Sequence, residues 1–326
     1  MAVHKIDVII PIYQAHDTLV RTLCSIGTQT IIDQINVVLV NDADGENYDY
    51  AVNMFKDFYS IKEIKLDKNV GSGQARQKGV DNTSAPYIMF IDADDTLASP
   101  FTMSSMLNIL ETRNDFHTVV GSAIEEQKNN IFFNYNENFI WVWGKLYRRS
   151  FIEKYGIHFS PFRISEDVGY NTMLKLFSSK EEKICFIDEH VYNWHFNKKS
   201  ITRLDTYDFL FRQNISGLVD NYIYAIKYAI SKIGTPKHVD FIIMEIMCKL
   251  YILYNEAYKK APQFDELNLK KCVLFYKEIY NDIEKRVDFK EIAEFMAQSK
   301  MYETLKQIGV EPRLSFYDFV RELRKG

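Results

Sequence analysis

An apolar run that ends in three carboxylates carries the first chemical signal of this chain. Pro86-Tyr87-Ile88-Met89-Phe90-Ile91 has the length of a strand, and Asp92-Ala93-Asp94-Asp95 follows it directly. Acid is therefore concentrated where a buried strand meets solvent. In an open α/β sheet, ligands bind in the crevice beyond the carboxyl ends of the strands. An Asp-x-Asp pair offers hard oxygen donors to Mg²⁺ or Mn²⁺, ions that keep positions open for phosphate oxygens. The chemistry predicted is metal-assisted work on a diphosphate. A solvated turn or the N-cap of a following helix would present the same acids, so the other segments must decide.

Several do bear on it. Asn69-Val70-Gly71-Ser72-Gly73-Gln74-Ala75-Arg76-Gln77-Lys78-Gly79 puts glycines before a helix and Arg76 one to two turns into it. Glycine lets backbone approach closely, and a helix N-terminus favours an anion. The Gly-x-x-x-x-Gly-Lys-Ser/Thr spacing of a P-loop is absent here. Asp42, at the end of Val38-Leu39-Val40-Asn41, can accept from a base or ribose hydroxyl, or simply form a turn. Ser165-Glu166-Asp167 looks like a helix start, where acids favour the dipole. Trp143 can stack on a sugar or pack in the core. His195 can ligate a metal or pack among its aromatic neighbours, and Lys198, Lys199 and Arg203 can cover a diphosphate or form a solvated loop.

These residues need a scaffold, and the first hundred positions predict one. β-rich runs at about 6–12, 35–41, 61–67 and 86–91 alternate with helical patterns, the signature of a mostly parallel sheet covered by helices. Asp17 is placed to cap a helix with Leu19, Leu23 and Ile26 on one face, and a second helix is predicted over 47–60. Two further β-rich runs between 116 and 135 enclose Glu125-Glu126-Gln127-Lys128-Asn129-Asn130, which predicts a hairpin or lid. Helices are expected at 145–155 and 166–179 and a strand at 183–189. From Asp205 the pattern becomes long and amphipathic, with Ile242, Ile246, Leu250 and Leu253 at helical spacing. A boundary near 204 then separates a catalytic domain, 1–204, from a helical one, 205–326, on the acceptor side or in oligomerisation.

Bulk properties narrow the class. The 326 residues are 47% hydrophobic with 21 Tyr and 23 Phe, enough for a sizeable core. No apolar run reaches the roughly 18 residues of a membrane span. The start shows no apolar signal-peptide core, and Cys24, Cys185, Cys248 and Cys272 lie far apart, so a reducing, cytoplasmic setting with free thiols is expected. A net charge of -4 gives no general attraction to nucleic acid, although a local basic groove could coexist with it.

Over about residues 5–203 the motifs, in order, resemble the family-2 glycosyltransferases of the GT-A fold. They are Val8-Ile9-Ile10-Pro11-Ile12-Tyr13 with Val38-Leu39-Val40-Asn41-Asp42, the Asn69 to Gly79 segment, and Asp92-Ala93-Asp94. Trp143-Gly144-Lys145-Leu146-Tyr147-Arg148 with Ile164-Ser165-Glu166-Asp167-Val168, and the closing stretch Val191 to Arg203, complete the set. Two departures stand out. Asn41-Asp42-Ala43-Asp44-Gly45 replaces two adjacent acids followed by Gly-Ser, and Gln77 replaces the second Asn of Asn-x-Gly…Ala-Arg-Asn-x-Gly. The resemblance implies an inverting, metal-dependent transfer from a nucleotide sugar, a uridine diphosphate sugar first, to an acceptor hydroxyl. It implies Pro11, Tyr13, Asp42, Asn69, Gly71, Arg76, Asp92, Lys198 and Arg203 on the donor nucleotide. Asp94, with Asp92 and His195, would hold Mn²⁺ or Mg²⁺, while Asp95 caps the turn or shares the ion. Asp167 would deprotonate the acceptor with Glu166 beside it, and Trp143 and Lys145 would face the acceptor. That acceptor is open: a glycan, a lipid-linked saccharide, a protein, or a hydroxymethylated base in DNA. A nucleotidyltransferase and a non-catalytic sugar-nucleotide-binding module are the competing classes.

Overall fold

The computed structural model describes residues 4–137, 139–198, 200, 214–236, 238–285 and 301–326. They fall into two units, one of residues 1–163 with 177–198 and one of 164–176 with 199–326. The single boundary expected near 204 does not express this interleaving, because the helix Glu166–Phe177 leaves the first unit and groups almost entirely with the second.

The first unit is built on a sheet whose order is β3-β2-β1-β4-β8-β6-β9-β5, with β7 paired to β6 and β5 being the short strand Thr96–Leu97. Strands β1 (Ile6–Ile12), β2 (Ile35–Asn41), β3 (Ser60–Lys65) and β4 (Tyr87–Phe90) are parallel neighbours, as the alternation with helices predicts. Strands β1 and β4 are buried almost throughout, which is why their sequences run apolar without alternation. Beyond β4 the sheet turns mixed, because β8 (Lys145–Arg148) runs antiparallel to both β4 and β6 (Phe116–Gln127). Here the helix expected over 145–155 is corrected. Leu146 and Tyr147 fill a slot between two strands, and only Arg149–Tyr155 is helical. Pairing partners distant in sequence override local pattern in so short a segment. The hairpin expected in 116–135 is present as β6 and β7 (Ile131–Tyr135), and the strand expected at 183–189 extends as β9 (Lys183–Trp194).

Helices α1 (Leu19–Gly27), α2 (Asp49–Phe55) and α3 (Ser72–Asp81) connect the parallel strands. Leu19, Leu23 and Ile26 are buried as their spacing requires, while the N-cap position of α1 is Thr18, one residue after the Asp17 expected there. Helix α3 lies so close to the sheet that a Cβ on Gly79 would stand 2.4 Å from Ile9 Cγ2. At the far end of the strands, the buried Asp7 carboxylate accepts from Arg149 Nη2 at 2.9 Å, Ala85 N–H at 2.7 Å and Asn36 Nδ2 at 2.7 Å.

The second unit is helical in its described residues, with Asn214–Ile233, Val239–Lys260, Asp265–Phe275 and Phe316–Lys325 as its longer elements. Along Val239–Lys260, Ile242, Ile246 and Leu250 are buried as expected, whereas Tyr254 rather than Leu253 continues the buried face. The Tyr251 hydroxyl donates to the Leu314 carbonyl at 2.6 Å, and Ser315 caps the last helix by accepting from Asp318 N–H at 3.0 Å.

Gly79→Ala should destabilise the chain by about 1–3 kcal/mol, since the added methyl overpacks the α3–β1 contact. Denaturant unfolding measures this, and an unchanged midpoint would show that α3 can lift away without cost.

Candidate active site

The carboxyl end of β4 is organised around Asp95 rather than around the pair that drew attention in the sequence. Asp95 is fully buried. Its carboxylate accepts from the Tyr192 hydroxyl at 2.8 Å and from His195 N–H at 2.8 Å, and the same hydroxyl accepts from Asp92 N–H at 3.1 Å. The end of β9 is thereby tied to the turn after β4. Asp95 neither caps an exposed turn nor is open to an ion. Burial, then the charges of Asp94 and Asp92, hold its carboxyl well above the usual range.

With Asp95 inside, Asp92 and Asp94 are left partly exposed. Arg76 Nη2 meets Asp92 Oδ1 at 2.5 Å, from a position on α3 that is itself buried. Asn197 Nδ2 donates to Asp94 Oδ2 at 2.8 Å. Helix α1 grips the turn from outside: Thr22 Oγ1 donates to the Ala93 carbonyl at 3.0 Å and Arg21 Nη2 to the Asp94 carbonyl at 2.6 Å. Burial, and after it the charge of Asp92, raises the Asp94 carboxyl above its ordinary value. Like charges held this close favour a proton or a cation between them.

His195 does not join this pair. Its Nε2 lies 2.9 Å from Thr96 Oγ1 and its Nδ1 3.3 Å from Glu126 Oε2 on β6, so both ring nitrogens are occupied. Burial, then Arg21, lowers its pKa despite Glu126. Among the described residues no three His, Cys, Asp or Glu side chains form a group that could hold a metal. Asp92 and Asp94 alone offer hard oxygens, which fits an ion that takes its other ligands from phosphate and water. The His195 ring, expected as a third ligand, here faces Thr96 and Glu126.

Other assignments from the sequence are redistributed. Asp42 is buried, and its two oxygens accept Val70 N–H at 2.6 Å and Gly71 N–H at 2.8 Å. It braces the loop before α3, and any nucleotide contact would share oxygens already engaged. Gly71 has φ +89, a backbone few other residues adopt, and the Asn69 carbonyl accepts from Arg163 Nη2 at 2.5 Å. Gln77, the departure from the family pattern, accepts Phe159 N–H at 3.0 Å. Tyr13 is half exposed beside Pro11, and Asp44 holds the loop after them by accepting Gln14 N–H at 2.6 Å and the Tyr48 hydroxyl at 2.6 Å. Burial works against Asp44, but these donors keep its carboxyl below the usual range.

Trp143 and Lys145 are not open to an acceptor. Trp143 is 4% exposed, stacked on Tyr192 at 4.8 Å and on Trp141 at 4.9 Å. Both ring faces are covered. Lys145 is buried and its Nζ donates to the Trp141 carbonyl at 2.5 Å and the Trp143 carbonyl at 3.2 Å. It orders the segment that stacks. Lys198 is exposed, while Lys199 and Arg203 lie outside the described residues.

Glu166 and Asp167 belong to the second unit, in the first turn of Glu166–Phe177. Glu166 is buried and Asp167 partly so. Ser165, at φ +61, starts that turn, and its carbonyl accepts Val168 N–H at 3.0 Å. Sequence reasoning missed Tyr192, Asn197, Glu126 and Arg21, whose roles depend on strands and helices meeting from distant positions.

Residues 7–181 match the model of Glycosyl transferase family 2. Glycosyltransferase GlyA of Streptococcus pneumoniae is 29% identical over 231 residues, 62% of this chain and 32% of that protein, so the chain spans about a third of that relative's length. Residues 1–349 of S. aureus TarS, solved with UDP-GlcNAc, superpose with a TM-score of 0.55 at 15% identity, covering 85% of this chain and 93% of that one. The mannosyltransferase PcManGT of Pyrobaculum calidifontis, solved with GDP-Man and Mn²⁺, gives 0.52 at 13% identity over 100% of this chain and 87% of its own. The fold is thus the GT-A type.

Two outcomes are expected. Tyr192→Phe leaves the buried Asp95 oxygen and the Asp92 N–H without their shared hydroxyl and should cost about 1–3 kcal/mol in unfolding experiments. An acid raised in the folded state keeps its proton where the unfolded chain has lost it, so in metal-free buffer stability should fall as pH rises above the ordinary value of 3.8. Asp94→Asn should flatten that fall, and parallel pH profiles for variant and wild type would overturn the assignment.

Proposed function

The chain belongs to glycosyl transferase family 2, and from that premise we propose that it transfers a sugar from a nucleoside diphosphate sugar, a uridine diphosphate sugar first, to an acceptor hydroxyl with inversion and a divalent cation. The observation that carries this reading is the paired display of Asp92 and Asp94 at the end of β4, one held by Arg76 and the other by Asn197. Mn²⁺ or Mg²⁺ held by Asp94 and Asp92 would act as a Lewis acid on the departing diphosphate. The chain's own residues do the rest. Arg76 fixes the Asp92 carboxylate, which is then set to accept from a ribose hydroxyl. Asn197 and Arg21 fix Asp94 from two sides, one through the carboxylate and one through the carbonyl, so little reorganisation is left when the donor binds. The glycine loop before α3, braced by Asp42 through the Val70 and Gly71 N–H groups, brings a helix N-terminus to the diphosphate side.

Asp167 is the proposed base. A single displacement needs one carboxylate within hydrogen-bond reach of the acceptor hydroxyl to take its proton, while the acceptor oxygen attacks the anomeric carbon opposite to the departing diphosphate. The relatives that name nucleotide sugars and Mn²⁺ support the donor class. The second unit is proposed to serve the acceptor.

Asp94→Asn should weaken Mn²⁺-dependent binding of a uridine diphosphate sugar by calorimetry while leaving the thermal unfolding transition cooperative. Equal affinity in chelator for both proteins would remove the metal from the mechanism. Asp167→Asn should leave donor affinity intact and lower single-turnover transfer by roughly 10²–10⁴-fold. Near-normal transfer with Glu166→Gln inactive would move the base to Glu166.

A further inference from the structure

The loop after β1 is held in a shape that its own residues do not favour. Gln14 has φ +51 and, in the loop after β2, Ala43 has φ +58. Residues with a Cβ adopt that region rarely, and such a backbone persists only where its surroundings fix it. Two side chains from the second loop do the fixing. Asp44 Oδ2 accepts Gln14 N–H at 2.6 Å, and the Tyr48 hydroxyl accepts Ala15 N–H at 2.9 Å while donating to the same Asp44 oxygen at 2.6 Å. Tyr48 is fully buried, and the other Asp44 oxygen accepts Glu46 N–H at 2.9 Å, so neither side chain can swing away without breaking further bonds. Asn41 holds the second loop in turn by accepting Ala43 N–H at 3.1 Å. Two consecutive N–H groups of the first loop therefore end on one acid–tyrosine pair, 30 and 33 residues away.

The latched loop lies where a ligand would enter. The chain passes from β1 to β2 and β3 on one side and then crosses to β4 on the other, so the crevice between the loops after β1 and β4 is the switch point of the sheet. Asp92 and Asp94 stand on the β4 side of it. On the β1 side the residue displayed is Tyr13, next to Gln14 and 51% exposed. The nearby rings of His16 and Tyr50 meet each other at 4.7 Å rather than cover it. An aromatic ring held open beside a site for a diphosphate suits the flat face of a nucleobase, whose stacking on such a ring raises affinity roughly tenfold to a hundredfold. The same loop runs into α1, where Thr22 and Arg21 hold the Ala93 and Asp94 carbonyls, so its shape is registered to the carboxylate pair.

We propose that Asp44 and Tyr48 are positioning residues for the donor: by locking the loop after β1 they hold the Tyr13 ring in place before the nucleobase arrives. The inference rests on the reading of the β4 end as the donor site. Neither residue needs to touch the nucleotide. The latch already offsets the strain of the backbone in the free protein, so base binding does not have to supply it. Recognition of the base thus depends on two side chains that the base does not meet, whereas the diphosphate is left to the carboxylate pair and its cation.

The test is calorimetry of the full chain in Mn²⁺ with two probes, uridine diphosphate and inorganic pyrophosphate, which share the diphosphate and differ in the nucleoside. Asp44→Ala should weaken uridine diphosphate by about tenfold and leave pyrophosphate unchanged, a split that general damage to the fold would not give. Tyr48→Phe should act in the same direction by less, since it keeps the ring packing and loses only the hydroxyl. Gln14→Gly, placed in the Asp44→Ala chain, should recover much of the lost affinity, because glycine enters the left-handed region without strain. An Asp44→Ala chain that loses both probes alike would overturn the proposal, since the latch would then support the whole fold. So would a loss that Gln14→Gly does not recover, which would place Asp44 itself on the nucleotide. If wild type binds neither probe, the donor reading fails and the inference falls with it; a wild type that binds both while Asp44→Ala changes neither removes the latch alone.

Discussion

A buried carboxylate facing a tyrosine hydroxyl fixes the end of the sheet on which the rest depends. Asp95 sits inside the protein because Tyr192 and the His195 N–H accept the cost of its burial by donating to it. Each partner comes from the end of β9, about a hundred residues away. The bond pattern forces the turn after β4 into a shape in which Asp92 and Asp94 cannot also turn inward. Two carboxylates remain at the rim, close enough to raise the Asp94 pKa after burial has done so. The group that organises the site is therefore the one least available to a ligand.

The opposite end of the same strands is held by a second buried acid, and the two ends behave differently. Asp7 is matched by the Arg149 guanidinium and by neutral donors. Arg149 also donates to the Ala85 and Val80 carbonyls, at 2.6 and 3.2 Å. Charge there is balanced and the groups are satisfied, which suits a structural clasp. At the carboxyl end, Asp92, Asp94 and Asp95 outnumber the nearby Arg76 and Arg21. One end thus closes the sheet, and the other crowds acids whose mutual repulsion a cation could relieve.

Aromatic packing carries this order outward. Tyr192 is buried between the carboxylates and the face of Trp143, whose other face lies on Trp141. Lys145 secures that segment through carbonyls, and Glu126 ties the β6–β7 ribbon to the loop after β9. A displacement of the ribbon would therefore be felt at Asn197 and Asp94 through contiguous contacts. Such a chain of contacts ties the ribbon to the carboxylate pair.

The sequence by itself determined the parallel half of the sheet, its connecting helices and the acidic strand end, because each is written in local periodicity or in a run of neighbouring residues. Glycine at 71 and 79 was legible for the same reason, as positions where backbone must turn or approach. The resemblance to a glycosyltransferase family likewise rests on short contiguous motifs. What tertiary structure alone decided is how side chains share work. Trp143 and Lys145 have the composition of a sugar site but pack inside, because strand β8 is drawn between β4 and β6. His195 has the chemistry of a ligand, yet Thr96 and Glu126 occupy its nitrogens. Asp42 becomes a loop brace, and Asp95, Tyr192 and Asn197 acquire their roles only when β9 reaches the end of β4. Local pattern records which residues are apolar or charged, while burial and partner choice depend on contacts across a hundred residues that no local pattern encodes.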